Sequence, residues 1–84
     1  MNSNKQNLIN KIKYRSQYRS TKEMDLFIKK FVNSIIQNLD LNQLDELNNL
    51  VNLDDQEVIK ISDEKIKKNE NKIVVLLKKF KKNY

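Results

Sequence analysis

The sequence predicts an all-α fold, a small bundle of four to five short antiparallel helices. Three observations carry the prediction. Apolar residues recur at spacings of three and four along most of the chain. Capping signals, a Ser or Asp followed three residues later by Glu or Gln, stand at Ser20 and Glu23, at Asp40 and Gln43, and at Asp54 and Glu57. The breaks between the apolar stripes are short. At 84 residues the chain is read as one domain, 1–84, and folding at this length removes only about two-thirds of the surface from water. The core is expected to be thin.

The first helix is expected over residues 4–19, with Leu8, Ile9 and Ile12 on a narrow buried stripe followed by Tyr14 and Tyr18. A spacing of four stacks Tyr14 on Tyr18 and Arg15 on Arg19. Like charges so placed repel by a few tenths of a kcal/mol, and the arrangement calls for an anionic partner. The second helix runs from Thr21 to about Asn38, entered through a capping box of Ser20 with Glu23. Its wide stripe is Met24, Phe27, Ile28, Phe31, Val32, Ile35 and Ile36, and it is the strongest helix in the chain.

Asp40 with Gln43 opens a third helix, whose buried positions are Leu41, Leu44, Leu47, Leu50 and Val51. Asp54 with Glu57 opens a short fourth helix through Ile61, burying Val58 and either Ile59 or Ile61. Residues 62–71 are charged and polar, with Ile66 alone apolar. Residues 72–84 set Ile73, Leu76, Leu77, Phe80 and Tyr84 on one side and Lys78, Lys79, Lys81 and Lys82 mostly on the other. Val74 and Val75 admit a strand, but cations gathered at a C-terminus complement a helix dipole and favour helix. With no Gly in the chain, Asn or Ser must supply any left-handed helix stop.

Composition narrows the chemistry. There is no Cys and no His, which excludes disulfides, thiol chemistry, the commonest zinc ligands and the commonest general base. Neither a metal site nor a catalytic residue is expected. The absence of Gly, Pro and Ala beside plentiful Asn, Lys and Ile reads as an AT-rich coding sequence, so part of the +6 net charge reflects lysine codons. The charge is nonetheless uneven: residues 1–23 carry +5, residues 24–64 carry −6 and residues 65–84 carry +7. The longest apolar run is Ile73 to Leu77, far short of the roughly 20 residues of a membrane helix. No signal or transit segment is recognisable, and the protein is expected to stay where it is made, in the cytoplasm.

The residues at the centre of this pattern match a known family. Tyr14-Arg15-Ser16, then Arg19-Ser20-x-x-Glu23-Met24-Asp25-Leu26, then Phe31 resemble the start of the succinate dehydrogenase FAD assembly (flavinylation) factors, whose hallmark is Arg-Gly-x-x-Glu. Leu50-Val51 and then Asp54-Asp55-Gln56-Glu57-Val58-Ile59 look like that family's later landmarks, so the resemblance covers about residues 11–61. It implies a bacterial, non-enzymatic helper that binds the flavoprotein subunit of succinate dehydrogenase and promotes the bond between that subunit's histidine and FAD. The related fumarate reductase subunit is a further candidate client. FAD would belong to the partner, and the chain would act as a monomer. Arg19 and Glu23 inherit the family's partner-binding role, with Ser20 in the glycine place and Arg15 and Asp25 beside them.

Two departures stand out. Ser20 replaces the hallmark glycine: as a helix cap it substitutes well, whereas close approach of a partner backbone would be obstructed by its side chain. Ile61 stands where the family usually has Trp. Plainer readings accompany each assignment: Glu23 and Asp54 as caps, Arg15 as a solvated charge, Tyr14 and Tyr18 as partly buried rim residues, and the C-terminal lysines as a solvated face. The runner-up function is a basic helical nucleic-acid-binding domain, against which the acidic centre argues. A third is a membrane-surface tail built on residues 72–84.

Overall fold

In the computed structural model, which describes residues 3–17, 19 and 21–84, five α-helices follow one another and no strand occurs among the described residues. They are α1 (Ser3–Arg15), α2 (Lys22–Ile35), α3 (Leu41–Val51), α4 (Asp55–Asp63) and α5 (Lys72–Lys82), with one 3₁₀ turn, Ile36–Asn38, closing α2. The strand alternative near Val74 and Val75 is not realised.

The caps explain where the helices begin. Asp40 accepts from the backbone N–H of Gln43 at 2.8 Å while Gln43 Oε1 accepts from the Asp40 N–H at 3.0 Å, a complete capping box. Leu39 before that cap and Leu44 after it are both buried in the core, the apolar staple that sets the angle of entry. Asp54 likewise accepts from the Glu57 N–H at 2.9 Å. Asn71 caps α5 through the N–H groups of Ile73 and Val74.

At α2 the expectation shifts by one residue. The N-cap is Thr21, whose hydroxyl accepts from the Met24 N–H at 3.1 Å. Glu23 falls in the first turn, where a carboxylate suits the positive end of the helix dipole. Ser20 lies outside the described residues. Two cap-competent hydroxyls stand side by side in the sequence, and the apolar stripe that follows is compatible with either.

The helices sandwich a single core. α1 packs on α3, α5 crosses α3, and α4 pairs with α5. α2 closes the other side through Phe27 and Phe31, whose ring centroids lie 5.7 and 5.5 Å from that of Phe80 on α5. Ile12, Ile28, Phe31, Val32, Leu44, Leu47, Val58, Ile73 and Leu77 are all buried at its centre. Ile61, in the place of the family's Trp, packs partly buried against that core.

Several expectations are corrected. α1 ends at Arg15, so Arg15 and Arg19 do not share a helical face. Just past that end Ser16 is buried and its hydroxyl donates to the Lys13 carbonyl at 2.7 Å, a local bond that competes with helix continuation. Tyr14 is 65 % exposed, not a half-buried rim residue; Tyr18 lies outside the described residues. Leu41, the first residue of α3, is exposed, and Leu39 takes its place in the core.

Lys78 is buried rather than solvated. Residues 64–71 fold back over α5, so that its ammonium donates to the Lys65 carbonyl at 2.9 Å and to both Glu70 oxygens at 2.7 and 2.8 Å. Asn69 in this link, at φ 64°, is the one residue with positive φ among those described. Without Gly, Asn takes the left-handed turn. The helix ends themselves close on residues of negative φ, right-handed at Asn52 after α3 and extended at Glu64 after α4.

Candidate functional site

The link between α1 and α2 carries the motif, and Arg19 fixes it in place. The last carbonyls of α3 have no partner within the helix and form its negative end. The Arg19 guanidinium lies against that end, donating from Nη1 to the Val51 carbonyl at 2.7 Å and from Nη2 to the Leu53 carbonyl at 2.9 Å. Its Nε donates to Asp55 Oδ1 at 2.7 Å. Asp55 is the first residue of α4, where the helix dipole favours a carboxylate. A cation at the end of one helix therefore meets an anion at the start of the next.

The side chains of Arg19 and Asp55 are only 7 % and 11 % exposed. The anion that the sequence calls for beside the paired arginines is thus supplied by the chain itself, and Arg19 turns inward instead of presenting its charge to solvent. Arg15 remains exposed.

Around this junction lies a groove of about 610 Å³. Tyr14, Arg15, Gln17 and Arg19 form one wall, and Val51 to Gln56 form the other. Tyr14 and Arg15 offer an exposed phenol and guanidinium at its edge. Asp54 and Asp55 give the opposite wall acidic character.

The other predicted residues fall on α2. Glu23 is exposed on its first turn. Asp25, two residues on in the same first turn, is half-buried. Its Oδ2 is 3.9 Å from Lys29 Nζ, and its Oδ1 is buried with no hydrogen-bond partner. The structure thus unites Arg15 and Arg19 in one groove and sets Glu23 and Asp25 beyond its walls.

Asp55 and the carbonyls of Val51 and Leu53 were missed at the level of sequence. Carbonyls leave no trace in side-chain patterns. The available signal was an acidic centre flanked by a basic first segment, which does not select Asp55 over Asp54. Asp54 itself is a cap, as its plainer reading holds.

A second groove, of about 780 Å³, lies between residues 62–66 and the later part of α5. Lys79 and Lys82 are exposed there, as expected of a solvated face, while Lys81 pairs with Asp63 at 2.9 Å. No cluster of His, Cys, Asp or Glu suited to a metal occurs among the described residues. No helix among them is long and apolar enough to cross a membrane.

The profile of the Sdh5 family, described as the flavinator of succinate dehydrogenase, matches residues 10–82. The chain belongs to this family. Comparisons with curated proteins and with solved structures return no match. The matched span runs beyond the residues 11–61 that carry the resemblance and takes in α5. As a member of the flavinator family, the protein is an assembly factor for succinate dehydrogenase flavinylation, and the nucleic-acid reading falls away. The family acts on the succinate dehydrogenase flavoprotein as an assembly factor rather than as a catalyst.

Proposed function

We propose that this flavinator docks onto the flavoprotein subunit of succinate dehydrogenase through Arg15, Ser20, Glu23 and Asp25, with Arg19 bracing the link that bears the motif. Docking steadies the conformation in which the subunit's own histidine and FAD react. FAD stays with the partner, and this chain supplies shape and charge instead of an acid, a base or a nucleophile. The protein works as a monomer in the bacterial cytoplasm, a reducing compartment that suits a chain without Cys. The fumarate reductase flavoprotein is a second client.

The observation that carries this reading is the Arg19 junction. It ties the link bearing the motif to the α3–α4 seam at three points, so that the exposed groups on either side are held in a fixed relation. Preorganised polar groups lose less entropy on association than mobile ones.

The test is co-expression with the cognate flavoprotein subunit in a host lacking its own assembly factor, with covalent flavin read by in-gel fluorescence. Glu23→Ala and Arg15→Ala, both at exposed positions, are expected to lower flavinylation while helicity is unchanged. Wild-type fluorescence in both variants would overturn the assignment of this face.

A further inference from the structure

We infer that Asp55 is a positioning residue of the flavinator face, acting through Arg19, and that Arg19 serves as the internal clamp of that face and not as a contact with the flavoprotein. The inference rests on the docking face proposed above and adds how that face is held. Arg19 has 7 % of its side chain exposed, and each of its three nitrogens bonds to a different acceptor on the far side of the groove. A guanidinium so placed offers little to an incoming surface.

What it does is geometric. The three acceptors lie on the last residue of α3, in the connection, and on the first residue of α4. A planar fork of donors matches three acceptors in fixed directions, whereas a lysine ammonium reaches them only as a point charge. Asp55 is the sole charged member of the set and accepts at 2.7 Å from Nε, the nitrogen nearest the backbone. It therefore orients the whole guanidinium plane. Thr21, which caps α2, follows Arg19 by two residues, and Glu23 by four. The orientation of Arg19 consequently sets where the exposed start of α2 stands relative to Arg15 and the groove.

The other features of the molecule do not reach as far. The lysines of the second groove are either exposed on a solvated face or paired internally, and the buried oxygen of Asp25 is closed to an incoming donor in this conformation.

The experiment co-expresses the flavoprotein subunit with Asp55→Ala, Arg19→Lys, Glu23→Ala, Arg15→Ala and Leu77→Ala. The last opens a core cavity on α5 and serves as a stability control. Covalent flavin is read by in-gel fluorescence and expressed per folded molecule, with the folded fraction taken from circular dichroism. Asp55→Ala and Arg19→Lys are expected to lose about tenfold in flavinylation per folded molecule, less than the roughly hundredfold that a full ångström of misplacement can cost in a positioned site. Leu77→Ala is expected to lose none. Combining Asp55→Ala with Glu23→Ala should add little to either alone, because both act on one face.

Wild-type flavinylation per folded molecule in Asp55→Ala would overturn the inference. Where Asp55→Ala does not fold, Arg19→Lys decides, since it keeps the charge and most of the volume: full activity overturns the clamp and loss supports it. A loss in Glu23→Ala beside full activity in both clamp variants would leave the docking face standing and remove only the role of Asp55. Full activity in Glu23→Ala and Arg15→Ala would remove the docking face and the inference with it.

Discussion

Arg19 and Asp55, 36 residues apart in the chain, meet at 2.7 Å with both side chains nearly withdrawn from water. Each was desolvated on folding, and each depends on the other for the charge that offsets the loss. Removing one partner of a buried pair is far more costly than the net worth of the pair, because the survivor is left uncompensated. Asp55→Ala is therefore expected to destabilise the domain by about 3 kcal/mol, a large share of the roughly 5–15 kcal/mol typical of small domains. Urea unfolding followed by circular dichroism measures it. A loss below about 0.5 kcal/mol would place the pair in the class of exposed, screened ion pairs.

The second buried charge makes stability depend on pH. The Glu70 carboxyl is held below its ordinary value of 4.5, first by the hydrogen bond from the Lys78 ammonium and then by the Lys67 backbone N–H. A carboxyl whose folded pKa is depressed adds stability that is fully present above its unfolded pKa and is lost as pH falls through the folded one. The contribution should be constant from neutral pH to about 5 and decline below about 4.5. Glu70→Gln keeps an acceptor and loses the charge. Its melting temperature is expected to lie below that of the wild type at pH 7, with the gap closing as the solution is acidified. A gap independent of pH down to 3 would show that the charge of Glu70 contributes nothing.

The cap of α2 gives a sharper local test. Thr21 makes the hydrogen bond to Met24, so Thr21→Ala should cost about 1 kcal/mol. Ser20→Gly, which restores the hallmark glycine of the family, should leave stability within about 0.5 kcal/mol of wild type, since the cap is made by Thr21. Thermal melts of the two variants suffice. If Ser20→Gly were the more damaging, the cap would be Ser20 and the box with Glu23 would stand. With the cap at Thr21, the tolerance of Ser in the glycine place turns on how closely the partner backbone approaches.

What could be read in advance follows a physical division. Regular stripes such as Phe27, Ile28, Phe31 and Val32 report helix and burial together, because one face of a helix must leave water for it to form at all. Asp40 and Asp54 announce their caps because a cap acts within three residues. Arg19 and Lys78 were opaque for the opposite reason. Arg19 is buried by the α3–α4 connection, more than 30 residues away, and Lys78 by residues 64–71, outside its own helix. Their acceptors include main-chain carbonyls, which every sequence possesses. The family motif marked Arg19 as important, and only the fold shows it facing inward.

The last helix decides between core and free tail. Ile73 and Leu77 on α5 are buried, and Phe80 meets the rings of both Phe27 and Phe31. These contacts fasten α5 to α2, α5 also packs on α3, and a domain of this size has little apolar area to spare. Deleting residues 72–84 is therefore expected to abolish the cooperative thermal transition. Leu77→Ala should cost about 2–5 kcal/mol through lost transfer energy and a cavity. The membrane-surface reading demands the reverse, since a tail that binds lipid with Ile73, Leu76, Leu77 and Phe80 cannot also bury them in the bundle. A truncated protein that melts cooperatively near the wild-type temperature, together with anionic-vesicle binding by the full chain, would turn α5 from a wall of the core into an appendage.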